Sequence, residues 1–93
     1  MVNKNILKIR KKLDKLDDKF LNIIKKRVVL VDKVVANKKY KKDIIDRKRI
    51  KTILQNIKKK SINKNIDPKI TSKVWSAMIK SFIDYEFRNF KKK

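Results

Sequence analysis

The sequence predicts an all-α fold of three helices, one of them very long, and three observations carry that prediction. Glycine is absent from the 93 residues and proline occurs once, at Pro68. Turns that demand a positive φ or a rigid kink are therefore almost excluded, which leaves few, long helices. Apolar residues recur in steps of three and four along most of the chain, the period of a helix. Asp67-Pro68 is a helix start signal, with Asp as N-cap and Pro at the first helical position. No strand, internal repeat or domain linker interrupts this pattern, so residues 1–93 read as a single domain. A domain of that size has a thin core, and oligomerisation commonly adds buried surface.

The first helix is expected from Ile6 to Lys38. Ile6, Ile9, Leu13, Leu16, Phe20, Ile23, Leu30 and Val34 form the seam of an inter-helix contact. A second stripe of Ile24, Val28, Val31 and Val35 widens it. At about 1.5 Å per residue this helix is about 50 Å long, too long for one small globule to cover, so a partner chain is expected. The segment "NKKYKKD", Asn37 to Asp43, loses the apolar rhythm and reads as a loop or fraying end. A second helix carries Ile50, Ile53, Leu54 and Ile57 on one face and ends in the polar run "KKKSINKN". The third presents Ile70, Val74, Trp75, Met78, Ile79, Phe82, Ile83, Phe87 and Phe90.

Composition narrows the chemistry. Cysteine and histidine are both absent, which removes thiolate nucleophiles, disulfides and the commonest general base and metal ligands. Lys, Arg, Asp, Glu, hydroxyls and shape must suffice, and no metal or cofactor is expected. The N-terminal "MVNKNILKIRKKL" lacks the apolar segment of a signal peptide and no stretch approaches a membrane span, so a soluble cytoplasmic protein with no membrane partner is expected. The formal charge of +21 ordinarily suggests nucleic acid. Only five of the 30 basic residues are Arg, however, and abundant Lys, Asn and Ile with scarce Ala resemble the codon bias of an AT-rich genome. Lys then spreads over exposed faces without selecting a partner, no reading-helix signature is evident, and nucleic-acid binding is the least favoured reading. In such a chain each Arg is informative, because its planar fork binds carboxylates bidentately.

Three cations interrupt the apolar pattern of the first helix. Arg27 stands where the seam series demands an apolar residue, and a buried guanidinium needs an anionic or carbonyl partner. Arg10 and Lys38 flank the widened stripe, where they either snorkel at its edge or serve a ligand. They are 28 positions apart, about 42 Å on one helix, so they cannot meet one small ligand within a chain. If two long helices cross antiparallel near residue 24, Arg10 of one chain lies level with Lys38 of the other. A shared site would then be built from both subunits.

The ordered pieces "RKKLDKLD" from Arg10, Arg27 eleven residues before Lys38, "DRKR" from Asp46 and "NIDPKITSKVWSAMIKSFIDYE" are familiar. From about Ile6 to Phe90 the chain resembles the all-helical chorismate mutases. The resemblance implies a domain-swapped homodimer with two active sites, each borrowing an arginine from the other subunit's long helix. It implies rearrangement of chorismate to prephenate, on the way to Phe and Tyr, without cofactor, metal or covalent intermediate. Carried over by position, Arg27 binds one substrate carboxylate and Arg10 of the other chain the second. Lys38 hydrogen-bonds the ether oxygen and a carboxylate, and Glu86 donates to the same ether oxygen. That role requires a protonated carboxyl, a state that burial favours, so activity is expected to rise toward mildly acidic pH. Asp46 and Arg49 match the D-x-x-R at the head of the second helix, and Val34, Ile79 and Ile83 would wall the substrate ring.

Two positions depart from the mutase pattern. Ile50 follows the D-x-x-R arginine where mutases usually carry Glu, and Phe82 stands one turn before Glu86 where Ser is frequent. An apolar residue after that arginine and the aromatic ending "FIDYEFRNF" are similar to the isochorismate pyruvate lyases, which eliminate pyruvate from isochorismate to give salicylate. The mutase reading is preferred because its step is the more general one, with the lyase as the alternative.

Overall fold

A computed structural model describes residues 3–91, and the elements follow the expected order: α1 (Lys4–Ala36), a short 3₁₀ turn (Lys41–Ile44), α2 (Arg47–Asn63) and α3 (Pro68–Asn89). No strand occurs among the described residues. The chain divides into two compact units, Met1–Leu30 and Val31–Lys93.

The first unit holds most of α1. Asn3 starts the helix, its Oδ1 accepting the Asn5 N–H at 2.7 Å while its carbonyl accepts from Leu7 N at 3.1 Å. Nothing interrupts the following 33 helical residues. The seam residues Ile6, Ile9, Leu13, Leu16, Phe20, Ile23 and Leu30 are between 44% and 59% exposed in the single chain.

The second unit contains the end of α1 and everything after it. α1 stops two residues short of the expected Lys38. Asn37 turns its amide back onto the Lys33 carbonyl at 2.7 Å, and the N–H groups of Asn37 and Lys38 bond the carbonyls of Val34 and Val35 at 3.1 Å. These tighter bonds close the last turn and release Lys38 from the helix. The expected loop is also more ordered than its sequence suggested. Asp43 N bonds Tyr40 O at 3.0 Å, and the resulting 3₁₀ turn drives Ile44 to 3% exposure. Ile44 lies just past the quoted segment, and one inward residue produces no periodicity.

Asp46 caps α2, its Oδ1 accepting Arg49 N at 3.0 Å. Ile50, Ile53, Leu54 and Ile57 are half-buried on the face that packs α3. The far end of α2 corrects the expectation that a glycine-free chain avoids positive φ. Asn65 adopts φ 58°, Ile66 N bonds Ser61 O at 2.8 Å, and Asn65 N bonds Ile62 O at 3.1 Å. This is a Schellman termination with Asn in the left-handed position that Gly usually takes, a conformation Asn tolerates better than most other residues.

Asp67 and Pro68 open α3 as expected, with Asp67 Oδ1 accepting Lys69 N at 2.9 Å. Where α2 and α3 meet, the Ser61 hydroxyl donates to Ile57 O at 2.6 Å. The Ser61 and Thr71 hydroxyls lie 2.7 Å apart in a hydrogen bond that joins the two helices. Trp75, Met78, Ile79, Phe82 and Ile83 are half-buried, whereas Ile70 and Val74, expected on the same face, are 60% and 38% exposed. The only apolar residues buried among those described are Val35 and Ile44, so the core of the lone chain is as thin as its length implied.

Candidate functional site

Glu86 is the anchor of the site. It lies in the last turns of α3 and is 8% exposed, a placement a carboxylate tolerates only with a partner. Lys38 supplies one: its Nζ lies 3.4 Å from Glu86 Oε1 and 3.4 Å from the carbonyl oxygen of Ile44. The two residues are 48 positions apart in sequence and meet because α1 ends where it does. Release from the last helical turn lets the Lys38 side chain reach between α3 and the 3₁₀ turn. Both contacts are longer than the roughly 2.7–2.9 Å of a strong charge-assisted bond. An ammonium has three donor protons, and among the described residues two acceptors face the Lys38 Nζ.

Around this pair α3 arranges Ile79, Phe82, Ile83 and Glu86 at spacings that share one helical face. Ile79, Phe82 and Ile83 are half-buried, and Val34, near the end of α1, is 49% exposed. At the head of α2, Asp46 spends one carboxylate oxygen on the helix cap. Arg49 is exposed and Ile50 half-buried. Asp46 therefore has a structural duty before any ligand is considered.

Arg10 and Arg27 belong to the Met1–Leu30 unit, and the other candidates to Val31–Lys93. Arg10 is exposed and Arg27 half-buried. Seventeen positions separate them on α1, about 25 Å, so one chain cannot bring both guanidinium groups to one small ligand. Among the described residues no cluster of His, Cys, Asp or Glu could hold a metal ion, and no helix is long and apolar enough to cross a membrane.

Two features escaped the sequence reading. The Ile44 carbonyl is backbone, and no side-chain pattern marks it. Tyr85 donates its hydroxyl to Asp32 Oδ1 at 2.6 Å, a contact between residues 53 positions apart with no local signature.

Comparison with protein-family models matches residues 9–87 to chorismate mutase type II. Comparisons with curated proteins and with solved structures gave no significant match. The matched span opens one residue before Arg10 and closes one residue after Glu86, so it takes in every charged group of the candidate site. The chain belongs to the chorismate mutase type II family and is an isomerase.

Proposed function

We propose that the chain catalyses the rearrangement of chorismate to prephenate within a homodimer whose two sites each draw on both subunits. The observation that carries this reading is the Lys38–Glu86 pair, 3.4 Å apart with the glutamate buried and, among the described residues, a third donor position of the ammonium without an acceptor. In the rearrangement an ether C–O bond breaks as a C–C bond forms, electrons shift around a six-membered array, and no proton is transferred. The protein's task is to hold the compact conformer and to oppose the negative charge growing on the ether oxygen. The Lys38 ammonium meets that charge, and Glu86, when protonated, donates a second hydrogen bond. Arg27 and the partner subunit's Arg10 clamp the two carboxylates, each offering a planar fork to a planar anion.

Support for the dimer comes from α1. Its apolar seam is about half exposed in one chain, and a second copy laid antiparallel would remove it from water. The same crossing delivers Arg10 to the other chain's Lys38, the arrangement that helix length demands.

Ile50 and Phe82 favour the isochorismate pyruvate lyase as the second reading. Both are half-buried and apolar where the resembling mutases carry Glu and Ser. Incubating the purified protein separately with chorismate and isochorismate decides between them. Prephenate from chorismate is the expected product; salicylate and pyruvate from isochorismate, with negligible prephenate, would overturn the proposal.

A pH profile tests the role of Glu86. Donation of a hydrogen bond to the ether oxygen needs a protonated Glu86 carboxyl. The rate constant kcat is therefore expected to rise as pH falls toward mildly acidic values. Glu86→Gln carries a permanent N–H donor and should flatten that rise; an unchanged slope in the variant removes Glu86 from this role.

A further inference from the structure

Three consecutive residues of α3 reach three different pieces of the chain. Tyr85 Oη donates to Asp32 Oδ1, on the last full turns of α1, at 2.6 Å. Glu86 accepts from Lys38, just past the end of α1, at 3.4 Å. The Phe87 ring lies under Lys41 of the 3₁₀ turn, with Nζ 5.9 Å from its centroid. These contacts differ in strength. At 2.6 Å the first falls in the roughly 2.5–2.7 Å range of a hydroxyl bonded to a carboxylate. The second is too long to hold its own partners, and the third is at the outer limit of a cation–π contact.

The separation of Lys38 and Glu86 is thus set by what fastens α3 to the end of α1. Val35 and Ile44 are buried in this unit, but apolar burial is non-directional and does not fix a side-chain distance. The Tyr85–Asp32 bond is directional, joins the two helices, and neighbours the catalytic glutamate by one residue. Tyr85 is half-buried and Asp32 exposed.

We propose that Tyr85 and Asp32 are positioning residues for the rearrangement, a clip that sets Glu86 against Lys38 without touching substrate. The inference rests on the chorismate mutase reading above. The hydrogen bond to Asp32 holds the Tyr85 phenol above its ordinary value. Partial burial and the Asp32 charge act in the same direction, and Arg88 opposes them.

Steady-state kinetics with chorismate, well below each variant's melting temperature, provide the test. Tyr85→Phe is expected to lower kcat about 3–10-fold with KM within about twofold, because the carboxylate clamps are untouched. Asp32→Ala should match it, and the double variant should be no worse than either, since one bond is lost in all three. Asp32→Asn keeps a carbonyl acceptor and should restore most of kcat. Wild-type kcat in Tyr85→Phe overturns the proposal, as do multiplicative losses in the double variant or an Asp32→Asn as impaired as Asp32→Ala. An ultraviolet tyrosinate titration reads the pair without substrate. In the wild type minus Tyr85→Phe difference, Tyr85 should ionise above the ordinary value of about 10 and fall back toward it in Asp32→Ala. Ionisation at the ordinary value in the wild type shows that the bond is not formed and also overturns the proposal. A wild-type chain inert to chorismate, with the titration as expected, instead removes the mutase reading and the clip's catalytic purpose with it. The two failures are therefore separable.

Discussion

Lys38→Ala is expected to lower kcat with chorismate about 10²–10³-fold, the loss measured when one preorganised donor to a developing oxyanion is removed. The ammonium is the only cation within hydrogen-bonding distance of Glu86 among the described contacts, and its bonds there are loose enough to exchange for a substrate oxygen. The charge it is proposed to oppose exists mainly in the transition state, so the loss should fall on kcat more than on KM. Lys38→Met tests whether stem packing matters, since it keeps the length and loses the charge, and it should be as impaired as alanine. Lys38→Arg retains charge but presents a rigid fork in place of a compact donor, and recovery should be partial. Circular dichroism should show unchanged helix content in each. A Lys38→Ala variant within tenfold of the wild-type kcat would remove Lys38 from the reaction.

Mixing two inactive variants should restore activity. Arg10→Ala and Lys38→Ala are each expected to be nearly inert as homodimers, because every site lacks one group. In a mixed dimer with sites shared between chains, one site carries both substitutions and the other carries neither. If equal amounts are unfolded together and refolded, half the dimers are mixed, and activity should return to about one quarter of the wild type. A site contained within one chain predicts no recovery, because each chain brings its own defect. The same experiment with Arg27→Ala in place of Arg10→Ala separates the two arginines. Arg27 is proposed to act in the same chain as Lys38, so that mixture should stay inert. Recovery there, or none with Arg10→Ala, would contradict the proposed partition of the site. Sedimentation of the refolded mixtures checks that association occurred.

Much of the fold was legible because it rests on local rules. The 3.6-residue apolar period, Asp67 as N-cap and Pro68 at the first turn depend on neighbours within four residues, and α1 and α3 begin close to where those signals stand, whereas the capping role of Asp46 came only with the structure. The charged residues that break the period, Arg10, Arg27 and Lys38, were legible for the same reason. A cation in an apolar stripe is anomalous whatever surrounds it.

What only the tertiary structure decided depends on distant pieces of chain and on backbone atoms. Glu86 and Lys38 are 48 positions apart; the family resemblance brought both to one substrate atom, but only the structure shows their direct 3.4 Å contact and the burial of the glutamate. Lys38 leaves the helix because Asn37 bonds back to Lys33, and the Ile44 carbonyl becomes its second acceptor because one inward isoleucine anchors a 3₁₀ turn. Asn65 at φ 58° shows the same limit, since the chain needed a left-handed residue and an asparagine supplied it where glycine was unavailable. Periodicity reports which face of a helix is buried, because burial acts on side chains at fixed spacing. It does not report what that face meets, because the partner is chosen by three-dimensional packing.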